Sequence, residues 1–500
     1  MPSSNLPVYE IIVYGFVWVA AICYSSYNVY LAGKLFDHTA IGDDFSDNWH
    51  GYKKDMADYE WTTWLPFLLY TMPPWVAAHI ALTQVTRWIS PQGVPGAQSL
   101  ITLLFIMAHF GPACALFVIT QVVVYYLILR LKSVALVWLF GVPFLLVSCF
   151  GLQETWEHTG KSDHQFTMML VSTTWLNLHC ISFSLETLAS APSKTSGTRM
   201  FYDLLGYSLY FPTYFLGPFI IYTNFGPYMY RSFERWTVER VSTFVLSLLR
   251  YLLWAAVTEA SLYFLYIHAL QYHMTIVASL GDWTLYGLGY LMGQFFCLKY
   301  VVVYGLCGSV ANFDGYIAPP PPKCVARIHL YTDMWRYFDV GFYLFIHKYI
   351  YTPLCGGQKK VLRRLMASAM CFGFVFLWHG VHLSIFIWSV LNFLGVSLVS
   401  FSISLSNTPT FKNWQKRNLS EANYRRLTAL VSAPVFILGP ASSFYFFSGI
   451  NTGNTFVIHL FFIGSWTGMV ALLFVSYCMC QVSIEIKQWE KINNQKLKSH

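Results

Sequence analysis

Apolar residues run along this chain in stretches of twenty or so, interrupted by short polar joints, from one end to the other. A hydrocarbon core about 30 Å thick needs roughly 20 helical residues to cross it. The spacing therefore predicts spans near 8–32, 63–86, 98–129, 134–151, 166–190, 203–224, 241–270, 281–309, 366–378, 382–404, 427–448 and 455–482. Several are too long or too short for one clean helix, so the expected count is about ten to twelve, some of them re-entrant. The predicted fold is all-α, a polytopic helical membrane protein with a central cavity or tunnel.

No period repeats and no long polar insertion houses a soluble domain, so residues 1–500 are expected to form one integral membrane domain. Within it we expect an N-terminal anchor helix (1–32), an acidic loop (33–60), a core (319–480) and a basic tail (483–500). Pro91-Gln-Gly-Val-Pro-Gly96 and Ala191 to Gly197 read as loops. Pro319 to Pro322 is the strongest breaker, because four prolines cannot donate backbone hydrogen bonds. The stretch Trp335 to Pro353 breaks the pattern differently, since Arg336, Asp339, His347 and Lys348 alternate with aromatic residues. Polar backbone at membrane depth is tolerated only where it is buried in protein or lines a wet cavity. A broken or re-entrant helix facing a cavity is expected there.

Composition excludes an ordinary soluble domain: 56% of residues are hydrophobic, 11% are charged and the mean hydropathy is +0.48. Membrane lipids are the expected surroundings, and no nucleic acid is expected as a partner. The net charge is +8, and cations concentrate in three polar stretches: Arg231, Arg235 and Arg240; Lys359, Lys360, Arg363 and Arg364; and Lys487, Lys491, Lys496 and Lys498. The positive-inside rule puts these on the cytosolic side, with the acid-rich stretch Asp37 to Glu60 lumenal if the N-terminus is cytosolic. Lys496 and Lys498 have the spacing of a dilysine retrieval signal, or else form a plain basic juxtamembrane tail. Val8 to Leu31 is apolar for too long to be a cleaved signal peptide. The eleven cysteines are scattered through apolar runs, which argues against a disulfide framework.

Asp339 and His379 are the groups that such surroundings tolerate least. An intramembrane Asp costs about 2.5 to 3.5 kcal/mol on insertion scales, which marks it as functional by default. His379, flanked by Trp378 and Gly380, is the best candidate base, because an imidazole exchanges protons near neutral pH. Asp339 either orients a catalytic group or pairs with Arg336 on the same helical face. His79, His109, His179 and His268 read as core histidines. Arg250 is another intramembrane cation, for an acid such as Glu186 or for an anionic substrate group. The patch Lys359, Lys360, Arg363 and Arg364 is explained by topology and anionic headgroups, or by phosphate capture from a substrate such as coenzyme A. Cys324, directly after the prolines, is placed to offer a thiolate to a metal or haem, although most lone cysteines ligate nothing.

Met334-Trp-Arg-Tyr-Phe-Asp-Val-Gly341, Tyr349-Ile-Tyr-Thr-Pro353 and Trp378-His379-Gly380 resemble the paired motifs of the membrane-bound O-acyltransferase family. Asp339 stands where most members carry Asn, and this wording resembles the hedgehog acyltransferase branch, as do Leu185-Glu186 and the loop Lys53 to Trp61. The resemblance covers essentially the whole length. It implies transfer of palmitate from palmitoyl-coenzyme A to the N-terminal cysteine of a secreted Hedgehog-type, or EGF-type, signalling protein in the endoplasmic reticulum membrane. It makes His379 and Asp339 catalytic, and Trp335, Arg336, Arg250 and the basic patch substrate-binding, within a catalytic core at 319–480. It also implies haem b on Cys324. One departure is an extra residue in Thr352-Pro-Leu-Cys-Gly-Gly357, which alters the local turn. The rival readings are a transporter or scaffold in which Arg250, Asp339 and His379 line a polar path, and an acyltransferase acting on lipid or on a serine hydroxyl.

Overall fold

The computed structural model describes residues 6–35, 44–49, 51–157, 162–190, 196–356 and 361–499. Among them, ten helices are long and apolar enough to cross a membrane. They are α1 (Val8–Lys34), α2 (Tyr59–Ile89), α4 (Pro112–Arg130), α6 (Asp163–Ala189), α7 (Val238–Ser261), α8 (Asp282–Phe313), α11 (Val361–His379), α12 (Leu383–Ser406), α13 (Glu421–Ile463) and α14 (Trp466–Ser499). Between them lie α3 (Val94–His109) and α5 (Val134–Glu157), and a helix broken into α9 (Tyr331–Phe338) and α10 (Val340–Ile346).

Burial separates core helices from peripheral ones. The most apolar window of α6 is 83% buried and that of α8 is 61% buried, against 6% for α1 and 11% for α7. In lipid the hydrophobic effect does not drive helices together, so close packing must. Helix α8 uses small residues for this: a Cβ on Gly287 would meet the Ser25 carbonyl oxygen of α1 at 2.5 Å, and Gly305 lies under the Tyr251 ring of α7.

Four expected spans take another form. The run 98–129 is two helices, because Gly111 adopts a φ of +91° and Pro112 starts the next helix. The run 203–224 does not cross: it holds the short helices Gly197–Ser208 and Phe211–Tyr214 and an extended piece in which Leu216, Phe219, Ile220 and Ile221 are buried. Hydropathy alone cannot separate a segment wrapped by protein from one wrapped by lipid. The last two runs redivide, because α13 bends at Gly449 and continues to Ile463. The acidic loop adds a two-stranded antiparallel hairpin, β1 (Phe45–Trp49) and β2 (Tyr52–Asp55), to an otherwise helical chain.

The expected break in the segment after Trp335 falls at Asp339, whose backbone is extended (φ −118°, ψ 90°). Asp339 is the N-cap of α10, and its carboxylate accepts the Phe342 N–H at 2.9 Å. Two residues on, Gly341 lies against the Phe219 carbonyl, leaving no room for a side chain. A π turn, His347–Tyr351, and a last helical turn, Thr352–Cys355, end in left-handed Gly356 (φ +55°).

Gly341→Ala should therefore destabilise the protein by about 1–3 kcal/mol through overpacking against backbone that cannot rotate away. A thermal melt of detergent-purified protein should show the drop, and an unchanged melting temperature would mean that the start of α10 moves freely.

Candidate active site

The broken helix, α8, α11, α12 and α13 enclose a cavity of about 940 Å³, at the upper end of the range for small-molecule sites. Its wall includes Glu60, Tyr300, Tyr304, Trp335, Arg336, Asp339, His347, Arg364, Trp378, His379 and Asn392. Asp339 and His379, 40 positions apart in sequence, thus face one space.

His379 is the last residue of α11, and Gly380 behind it turns the chain with a φ of +106°. The imidazole stands edge-on to Trp388 and Phe446, with ring centroids 5.3 and 5.0 Å away. Among the described residues no side chain or carbonyl hydrogen-bonds its ring nitrogens, which are left to a ligand. The neighbouring Trp378 is held by Trp175 and Phe342.

Asp339 does not pair with Arg336. Its Oδ2 accepts the Tyr304 hydroxyl at 2.8 Å while Oδ1 caps α10. The Arg336 guanidinium instead lies over the Tyr343 ring. Trp335 donates its indole N–H to Asn392 Oδ1 at 3.1 Å, and Asn392 in turn donates to Ser442 Oγ at 3.2 Å, so the indole is fixed on the wall.

The expected basic patch divides. Arg364 lines the cavity. Arg363 donates from Nε to the Leu354 carbonyl at 2.7 Å and closes the turn before it. Lys359 and Lys360 lie outside the described residues. Arg250 sits on the exposed face of α7, away from the cavity, and Glu186 pairs instead with Lys348 at 2.6 Å. A cation on a lipid-facing surface can extend to the interface, which lowers the cost of having no acid beside it among the described residues. The Cys324 thiol is 3.7 Å from Gln294 Oε1, next to cavity residues Tyr290 and Gly293. Among the described residues no group of three or more His, Cys, Asp or Glu side chains could hold a metal ion. The four core histidines are in protein surroundings; His179 Nδ1, for example, bonds the Trp175 carbonyl at 2.9 Å.

Sequence reasoning missed a buried ionic cluster beside this cavity. Lys299, in the middle of α8, meets Glu60 at 2.7 Å and Asp58 at 3.0 Å. Asp58 also caps α2 through the Trp61 N–H. Tyr300 donates to Glu60 at 2.7 Å. The signal was available: a lone lysine inside an apolar run must find acids, and the one acid of the run 281–309, Asp282, lies 17 residues away at its start.

The bundle encloses a cavity with Asp339 and His379 on its wall, and the match of a family model gives its class, an acyltransferase. The family's model, described as "MBOAT, membrane-bound O-acyltransferase family", matches residues 120–441, and the chain belongs to that family. Its relatives place it in the branch that the Trp335 to Gly341 wording resembled. It is 30% identical to protein-cysteine N-palmitoyltransferase Rasp of Drosophila melanogaster over 95% of this chain and 94% of that protein. It is also 30% identical to protein-cysteine N-palmitoyltransferase HHAT of Mus musculus, over 87% of this chain and 88% of that one. A more distant relative, membrane-bound O-acyltransferase GUP1 of Millerozyma farinosa, is 28% identical over 58% of the chain.

Lys299→Met should leave Asp58 and Glu60 buried without their cation and destabilise the protein by about 3–5 kcal/mol. Size-exclusion traces after a heating series should show the loss, and part of it should return when Asp58→Asn is added.

Proposed function

We propose that the chain transfers palmitate from palmitoyl-coenzyme A to the N-terminal cysteine amine of a secreted Hedgehog-type or EGF-type signalling protein, forming an amide. The observation that carries this reading is a single cavity walled by Asp339 and His379 in a chain whose near-full-length relatives are named protein-cysteine N-palmitoyltransferases. Those names favour an N-terminal amine over a lipid or serine hydroxyl, and an enzyme over a transporter or scaffold.

In this reading the aromatic wall takes the acyl chain. At about 0.8 kcal/mol per buried CH₂, palmitate offers roughly 10 kcal/mol, enough to hold the chain and measure its length. Arg336 and Arg364 receive the donor's phosphates, and Trp335, pinned by Asn392, shapes the passage to the thioester. The amine nitrogen attacks the thioester carbonyl; the new C–N bond forms, the C–S bond breaks and the thiolate leaves. An α-amino group has a reference pKa of about 7.7 to 8.0, so a base is needed to free its lone pair at neutral pH. His379, with unoccupied ring nitrogens, accepts that proton and releases it to solvent, then takes the second proton that the nitrogen sheds as the C–N bond forms and passes it to the leaving thiolate. Asp339 keeps acceptor capacity beyond its two hydrogen bonds, and orients the amine.

The whole of 1–500 is one integral membrane domain in this reading, with the anchor helix at 1–32, the acidic loop at 33–60, the catalytic core at 319–480 and the tail at 483–500. The endoplasmic reticulum membrane follows from the family resemblance, and a cytosolic side for Lys487, Lys491, Lys496 and Lys498 is supported by their charge. Haem b on Cys324 rests on the family resemblance; the thiol lies 3.7 Å from Gln294 Oε1, beside cavity residues Tyr290 and Gly293. Bound there, haem would supply a coloured, thiolate-ligated iron. The proton and acyl steps above use only protein side chains.

Purified protein incubated with palmitoyl-coenzyme A should add one palmitoyl mass to a peptide with a free N-terminal cysteine and none to its N-acetylated twin. His379→Ala should stay monodisperse and lose transfer by at least about a hundredfold, the low end for a general base; normal transfer by this variant would falsify the assignment. Cys324→Ala should lose any Soret absorbance of the purified protein, whereas an unchanged spectrum would remove Cys324 as the ligand.

A further inference from the structure

The charges on the cavity wall are unevenly placed. Among the described residues they are Glu60, Asp339, Arg336 and Arg364, together with His347 and His379. The two carboxylates share one wall: Glu60 accepts the Tyr300 hydroxyl at 2.7 Å and Asp339 the Tyr304 hydroxyl at 2.8 Å. Those tyrosines are four residues apart on α8, about 6 Å along the axis, with their rings edge to face at 5.3 Å. The reading above gives Asp339 a task and gives Glu60 none.

Neutralising Lys299 does not account for Glu60. Lys299 already meets both oxygens of Asp58, at 3.1 and 3.0 Å, before Glu60 is counted. Nearby His268 adds no charge at neutral pH, since burial pushes its pKa down to about 4. One cation thus faces two carboxylates, and an excess negative charge inside protein calls for a cation. Of the two acids Glu60 is the one that lines the cavity, and its side chain is 31% exposed where that of Lys299 is 5% exposed. A donor does not meet that demand, because its phosphates are anionic and its thioester is neutral. An α-amino group near pH 7 is mostly an ammonium ion, and it does.

We propose that Glu60 is an acceptor-recognition residue, whose carboxylate receives the α-ammonium group of the incoming polypeptide before that amine is deprotonated for transfer. The inference rests on the N-acyltransferase reading above. It divides the cavity by charge, with Arg336 and Arg364 attracting the donor and the Glu60 wall repelling the donor's phosphates while drawing in the acceptor.

Steady-state kinetics with the free N-terminal cysteine peptide test it. Glu60→Gln still accepts the Tyr300 hydroxyl, and should raise the acceptor KM about tenfold, leave the palmitoyl-coenzyme A KM unchanged and hold kcat within about twofold. Glu60→Asp should restore most of the acceptor affinity. Equal changes in both KM values, or none, would overturn the proposal. Should Glu60→Gln fail to fold, the wild-type protein carries the test: a free-amine peptide beginning with alanine should inhibit at least about tenfold better than its N-acetylated form, and equal inhibition would overturn the proposal. Wild-type protein that transfers no palmitate to the cysteine peptide would remove the N-acyltransferase reading itself. Wild-type transfer with an unchanged acceptor KM in Glu60→Gln would remove only this inference.

Discussion

Lys299 lies halfway along a 32-residue helix and is 4% exposed, with two carboxylates within 3.0 Å. An ammonium ion left alone at that depth would cost a few kcal/mol, so the helix must recruit its acids from elsewhere in the chain. They come from just after the N-terminal hairpin, and this draws residues 58–60 into the membrane domain and sets Glu60 on the cavity wall. One turn further along the same helix, Tyr304 takes hold of Asp339. The helix therefore fixes two carboxylates of the site while packing its glycines against α1 and α7.

The polar groups of the cavity sit among aromatic rings, and that setting governs what they can do. Few competing dipoles surround His379, whose neighbours are the edges of Trp388 and Phe446. Interactions between a charged substrate and the wall are stronger there than in water, which gives a handful of residues control over orientation. Asp339 is fixed by a local rule, as the cap of α10, so its position survives without an arginine partner. The same residue thus ends one helical turn, begins the next and faces the substrate space.

Most of the fold was legible because crossing a bilayer imposes a length and a composition that a single sequence displays. The polar intramembrane residues Asp339 and His379 stood out for the same reason. What escaped notice depends on partners far apart in the chain. The run 203–224 is apolar because protein surrounds it, and hydropathy assigns it to lipid just as readily. For Arg250 the sequence left open an acid such as Glu186 or an anionic substrate group, yet Lys348 is the base that reaches Glu186. Lys299 was plain in the sequence, but its acids lie some 240 residues away, in a loop whose acidity suggested only a side of the membrane. The cluster at 359–364 was one patch in sequence and has different tasks in space, since Arg363 closes a turn while Arg364 faces the cavity.

The separation of Lys299 from Asp58 and Glu60 also has a consequence for biogenesis. Chains emerge N-terminus first, so the two acids are made and delivered to the membrane long before the lysine that holds them. They must wait at the polar edge of the bilayer, where carboxylates are hydrated at little cost, until α8 arrives. The helix, in turn, enters with an unpaired ammonium ion and settles at full depth only once it meets them. That meeting joins the first part of the chain to the middle. The wall that Glu60 occupies is thus anchored through α8, ahead in the chain of Asp339 and His379.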